Sequence, residues 1–155
     1  MSPKLTGVKI AAQNRKAFHD YYVLERFEAG IALAGTEVKS IRMGTLNLKD
    51  SHCMVKNGEI FVRAMHISPY EKGNIFNRDP LRPRKLLMHR REIVKLGARV
   101  KQDGLALIPL SVYFKDSRVK LEIGLCQGKK IHDKRESEAA RGAEREMARA
   151  VKAHR

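Results

Sequence analysis

Redox and metal chemistry have little to work with in this chain. Its two cysteines, Cys53 and Cys126, form no CxxC pair and have no histidine nearby at ligand spacing. They read as half-buried small hydrophobes in a reducing cytoplasm, since a disulfide would imply export. The six histidines are scattered at positions 19, 52, 66, 89, 132 and 154, without HExxH or a Ser-His-Asp order. There is no Walker-type loop, and nothing pairs Asp50 or Asp79 into a nuclease-like metal site. The expectation is therefore no catalytic residue, no metal and no cofactor. An apolar run of about 20 residues, a signal peptide and a lipidation motif are also missing, which argues against a membrane and for the cytoplasm.

Acidic residues are scarce as well. Only 17 Asp and Glu stand against 32 Lys and Arg, leaving a formal charge of +15 on 155 residues. So large a surplus repels itself in the compact state and calls for a polyanionic partner. Membrane surfaces are polyanionic too, but without an anchor the better match is nucleic acid. The length fits one domain with an appendage.

What is present reads as short strands. The first eight residues form a loose lead-in. Residues 20–27, DYYVLERF, are aromatic and β-branched, as a half-buried strand requires. Residues 36–42 suit a short helix capped by Thr36, with Val38 and Ile41 on one face. Asn57-Gly58 separates SHCMVK from EIFVRAMHI and accepts the positive φ angles of a type I′ hairpin turn. Residues 70–84 carry Gly73, Pro80 and Pro83 and form a long connection. A helix is expected from His89 to Leu96, stopped by Gly97. After a turn at Asp103-Gly104, alternation places Ile108, Leu110, Val112 and Phe114 on one face, with Pro109 demanding an edge or a bulge. A tight turn at residues 115–117 leads to RVKLEIGLC, whose Val119, Leu121, Ile123 and Leu125 face the core and whose Arg118, Lys120 and Glu122 face outward. The fold class is mainly β, a small OB-like antiparallel β-barrel, although periodicity leaves a sandwich open.

Composition changes at Lys129, which divides the chain into a barrel over residues 1–128 and a tail over 129–155. The tail holds nine Lys and Arg against five Asp and Glu, so it carries +4 and the barrel the remaining +11. Its large apolar residues are Ile131, Met147 and Val151, too few to offset the entropy of ordering, so alone it is expected to be disordered. Yet on a helical wheel Arg141, Arg145, Arg149, Lys152 and Arg155 share one arc, opposite Ala139, Ala140, Ala143, Met147, Ala150 and Val151. That stripe suits a helix formed against phosphates, and it equally fits an ordinary solvated helix.

Two features of the barrel bear on recognition. Tyr21, Tyr22 and Phe27 can stack bases or fill the core, and alternation prevents Tyr21 and Tyr22 from doing the same job. Glu28 is either a surface charge paired with a Lys or an acceptor for base amino groups, a specificity role.

Several segments in order carry a resemblance. They are Asn14-Arg15-Lys16-Ala17, FEAGIAL over 27–33, GTEVKSIRMG over 35–44, Arg84-Lys85-Leu86-Leu87, Lys120-Leu121-Glu122-Ile123-Gly124 and GKKIHDKRE over 128–136. Together they resemble the SmpB family of tmRNA-binding proteins over nearly the whole chain. The resemblance implies an OB-type barrel with short flanking helices that binds the tRNA-like domain of tmRNA and delivers it to the A site of stalled ribosomes, as a monomer on tmRNA and with elongation factor Tu reached through that RNA. It implies tmRNA contacts at Asn14, Arg15, Tyr21, Glu28, Leu87 and Lys120. It implies ribosome contacts along the tail at Lys129, Lys130, His132, Asp133, Lys134, Arg135, Arg141, Arg145 and Arg149, the tail turning helical in the empty mRNA path. The resemblance also puts His132 at a position that can stack on decoding-centre rRNA. One position departs: the family often has an aromatic after Asp-Ser, where Asp50-Ser51 is followed here by His52.

An RNA-binding adaptor without catalysis is the leading expectation. A ribosomal or generic RNA-chaperone barrel and an RNA-acting enzyme are its competitors.

Overall fold

A computed structural model of the chain describes residues 8–130 and 134–135. In order, its elements are β1 (Val8–Gln13), α1 (Arg15–Asp20), β2 (Tyr21–Ile31), α2 (Gly35–Arg42), β3 (Leu46–Asn47), β4 (His52–Lys56), β5 (Glu59–Arg63), β6 (His66–Ile67), β7 (Arg84–Leu87), α3 (Arg90–Asp103), β8 (Ala106–Lys115) and β9 (Arg118–Gly128).

Strands β8, β4, β5, β7, β2 and β9 pair in that order, and β9 returns to β8. Every pairing is antiparallel. The sheet therefore closes into the OB-like barrel, and the β8–β9 ladder removes the sandwich alternative. β1 runs beside the Ser111–Lys115 half of β8, while β4 meets β8 at Leu107. β3 and β6 form a separate small ribbon.

Local chemistry explains the turns. Asn57 and Gly58 take φ of 53° and 76°, and Asp116 and Ser117 take 50° and 66°, both type I′ patterns whose twist matches the flanking strands. Inside the barrel, Ala29, Ile60, Val62, Leu86, Leu121, Ile123 and Leu125 are buried, and Ile41 of α2 and Ile93 and Leu96 of α3 pack onto them.

Six local expectations change. β1 and α1 fill a stretch with no expected element, α1 being capped by Asn14, whose Oδ1 accepts the Ala17 N–H at 3.1 Å. β2 continues past Phe27 to Ile31 because Ala29 is small enough to be buried there and Gly30 fits against β7. Thr36 does not cap α2. Glu37 accepts the Ala34 N–H at 2.9 Å instead, and the Thr36 hydroxyl donates to Phe76 O.

Gly97 does not stop α3. The helix runs to Asp103 and ends at Gly104, whose φ of 62° gives the left-handed cap. Gly97 serves packing, since a Cβ there would lie 3.1 Å from Val55 Cγ1. Finally, β8 does not keep one face. A bulge between Pro109 and Ser111, one of the two options for Pro109, resets the alternation. Leu107 and Val112 enter the main core, whereas Ile108 and Leu110 join Ala17 and Cys126 in a second cluster beneath α1. Both cysteines are buried, not half-buried, and neither forms a disulfide.

Of the tail, Lys129, Lys130, Lys134 and Arg135 are described. His132, Asp133, Arg141, Arg145 and Arg149, and the disorder-to-helix expectation, lie outside the described residues.

Candidate nucleic-acid interface

The barrel surface is organised by register. Tyr113 on β8 stands opposite Lys120 on β9, Lys120 opposite Gly30 on β2, and Gly30 opposite Leu87 on β7. Cross-strand partners point to the same face, so these four residues form one row around the outside. Two residues along, Glu28 stands opposite Glu122, which stands opposite Ser111. Three residues expected to contact RNA, Glu28, Leu87 and Lys120, are thereby brought together from separate parts of the chain. They line a hollow of about 610 Å³ with Gly30, Lys85 and Arg90. Leu87 is 55% exposed, an apolar side chain offered outward beside cations.

Gly30 has a local reason. A Cβ on it would sit 3.2 Å from Leu87 Cβ, so its lack of a side chain lets Leu87 lie flat across β2. Glu28 is held from β8: the Tyr113 hydroxyl donates to its Oε2, and Lys115 Nζ lies 3.5 Å from its Oε1. The Tyr113 hydrogen bond, then the charges of Lys115 and Lys120, hold its carboxyl below the ordinary range despite partial burial. Burial, followed by the Glu28 carboxylate, pushes the Tyr113 phenol well up. A second hollow of about 330 Å³ adjoins, lined by Val8, Ile10, Arg26, Tyr113, Glu28 and Glu122 among others. Arg26 meets Glu122 at 3.4 Å.

Asn14, Arg15 and Tyr21 do not join this group. They lie at the other end of β2, seven residues from Glu28, roughly 20 Å at the rise of a strand. Tyr21 is half-buried against the second cluster and lines a hollow of about 300 Å³ with Lys16, Asp50 and His52. Tyr22 is exposed and stacks with the Lys129 ammonium, 5.0 Å from its ring. Asn14 is 3% exposed, and its Nδ2 donates to Leu48 O and Pro109 O at 3.2 and 2.9 Å. It holds α1 on the barrel, while Arg15 is exposed beside it. The start of the tail returns here: Lys129 N–H donates to Asp20 O at 2.9 Å, and Lys134 Nζ lies 3.5 Å from Asp20 Oδ1. A hydrogen bond with His19, 2.9 Å away, and then Lys134 hold the Asp20 carboxyl low.

Tyr113, Lys115 and Gly30 are not among the contact residues expected from sequence. Strand alternation around Val112 places Tyr113 outward, and that signal was legible. Its partnership with Glu28 depends on which strand follows β9, and that was not.

Among the described residues, no group of three or more His, Cys, Asp or Glu is placed to hold a metal ion. No helix among them is long and apolar enough to cross a membrane. Fold and surface define a cationic OB-like barrel with a polar, partly apolar row along its outside. Residues 11–153 match the sequence model of the SmpB protein, and the chain belongs to that family. It is 59% identical over 145 residues to the SsrA-binding protein of Carboxydothermus hydrogenoformans, covering 94% of this chain and 97% of the relative. It is 60% identical over 144 residues to the SsrA-binding protein of Acetivibrio thermocellus, covering 93% and 94%. A solved chain from work on tmRNA-SmpB at the centre of the bacterial ribosome superposes with a TM-score of 0.66 at 47% identity, over 77% of this chain and 85% of that one.

Proposed function

We propose that this chain binds tmRNA and serves trans-translation as a cytoplasmic adaptor without catalysis. The observation that carries the reading is the row of Tyr113, Lys120, Gly30 and Leu87 with Glu28 beside it, on the outside of a basic barrel of this family. Support for the RNA comes from relatives named SsrA-binding protein and from the fold shared with a chain solved in work on tmRNA-SmpB.

In this reading the barrel, residues 1–128, grips the tRNA-like domain. Lys120 neutralises phosphate, Leu87 packs against a sugar or base, and Glu28 accepts from exposed base donors. Arg15 and Tyr21 contribute from the α1 end, and Asn14 positions them. The tail, residues 129–155, follows the ribosomal decoding centre and the empty mRNA path through Lys129, Lys130, His132, Asp133, Lys134, Arg135, Arg141, Arg145 and Arg149. Elongation factor Tu is met through the tmRNA, and the protein acts there as a monomer.

The test compares affinity for tmRNA with affinity for a bulk tRNA pool at fixed salt. Strong preference for tmRNA is expected. Equal affinities would sink the reading and favour a generic RNA chaperone. Incubation with labelled RNA and Mg²⁺ is expected to give no turnover, and steady cleavage or modification would make the protein an enzyme.

A further inference from the structure

Glu28 is an acid on the outside of a protein with a +15 formal charge, surrounded by Lys115, Lys120 and Arg26. Left loose, such a side chain samples several rotamers and collapses onto whichever cation is nearest. Here it is tied from a strand that is not its neighbour. β9 lies between β2 and β8 through most of their length, so Glu28 and Tyr113 sit two strand spacings apart, roughly 10 Å. Only a long side chain with a donor at its tip spans that gap: the Tyr113 hydroxyl does so, donating to Glu28 Oε2, and the flexible Lys115 ammonium reaches Oε1 at 3.5 Å. On β9, Lys120 is the cross-strand partner of Tyr113, and Glu122 stands two residues along. The Tyr113 ring is half-buried, and its backbone is fixed on the far side by pairing with Ile10 of β1.

We infer that Tyr113 is a positioning and specificity-determining residue for RNA recognition, its hydroxyl holding the Glu28 carboxylate in one rotamer as an acceptor for base amino and imino groups. The inference rests on the reading of Glu28 as an RNA contact. The Tyr113 hydrogen bond is also the largest influence keeping Glu28 ionised, ahead of Lys115 and Lys120. The groups facing Glu28 are Tyr113 and Lys115 from β8, Lys120 and Glu122 from β9, and Arg26 on its own strand; across the hollow beside Leu87 lie Glu59 of β5, Lys85 of β7, and His89, Arg90 and Glu92 at the start of α3. Removal of the hydroxyl leaves Glu28 opposite Glu122 with its strongest stabiliser gone.

The experiment is a double-mutant cycle on the full chain with tmRNA, using Tyr113→Phe, Glu28→Gln and the pair, with thermal melts to confirm that all fold. Tyr113→Phe keeps the ring and its packing. It is expected to weaken tmRNA binding about ten-fold, the size of one hydrogen bond to a charged group. In the Glu28→Gln background it is expected to cost much less. The acid limb of the binding pH profile is expected to move to higher pH in Tyr113→Phe, a change that a packing role would not produce. Wild-type affinity in Tyr113→Phe, or fully additive losses, would overturn the positioning role while leaving Glu28 as a contact. No loss in Glu28→Gln would remove Glu28 from the interface, and this inference with it.

Discussion

Arg84 and Glu37 form an ion pair inside the protein, 2.7 Å apart, with 0% and 5% of their side chains exposed. Arg84 also donates to Met65 O at 2.6 Å and Pro80 O at 3.1 Å, and Arg82 reaches the same carboxylate at 2.5 Å. One buried cluster thus joins α2, β7 and the connection before it. Truncating either partner strands the other charge, so Glu37→Ala or Arg84→Ala should cost about 3–5 kcal/mol in chemical denaturation. A loss below about 1 kcal/mol would show that water reaches the pair.

The same pair sets an acid limit. Burial pushes the Glu37 carboxyl up, but hydrogen bonds from Arg82, the Ala34 N–H and Arg84 outweigh it and hold the group below its ordinary 4.5. A carboxyl depressed in the folded state contributes stability that is present above its unfolded value and lost as pH falls through the folded one. Melting temperature should therefore change little from this source down to about pH 5 and fall below it. In Glu37→Gln the acid decline should be shallower.

Helix α3 offers a test of two glycines with different duties. Gly104→Ala forces a Cβ into φ of 62° and should cost about 1–2 kcal/mol. Gly97→Leu should cost about 1–3 kcal/mol through overpacking against Val55. If Gly97→Leu melts as wild type, α3 does not lie close on β4.

On the outer row, Lys120→Ala should weaken tmRNA binding and reduce the slope of log affinity against log salt by about 1. Gly30→Val should displace Leu87 and lower affinity with little change in salt slope, because it disturbs shape and not charge. An unchanged slope in Lys120→Ala would mean that Lys120 touches no phosphate.

Burial raises both thiols, Cys126 to about 11 and Cys53 further. Neither should be alkylated in the native protein at pH 8, and both should react once denaturant unfolds it. Rapid native labelling of either would contradict the packing of its cluster.

For the tail, Asp133→Ala with Lys134→Ala should keep tmRNA binding and abolish peptide tagging on stalled ribosomes. Loss of both activities together would show that barrel and tail do not work separably.

Where one residue pair decides conformation, the sequence alone determined the outcome. Asn57-Gly58 specified its hairpin because few residues accept positive φ. The strict alternation of Val119, Leu121, Ile123 and Leu125 specified which side of β9 is inside, since pleating flips every second side chain. The surplus of Lys and Arg pointed to a polyanionic partner, and ordered motifs determined the family. Tertiary structure decided what depends on distant neighbours. Gly97 reads as a helix stop until Val55 is seen beneath it, and Ile108 and Val112 read as one face until the Pro109 bulge turns them apart. Glu37 and Arg84, 47 residues apart, look like surface charges until α2 folds over β7. The outer row of Tyr113, Lys120, Gly30 and Leu87 is the clearest case. Its four residues lie on four strands, and only the register of a closed barrel, set by non-local hydrogen bonds and core packing, aligns them.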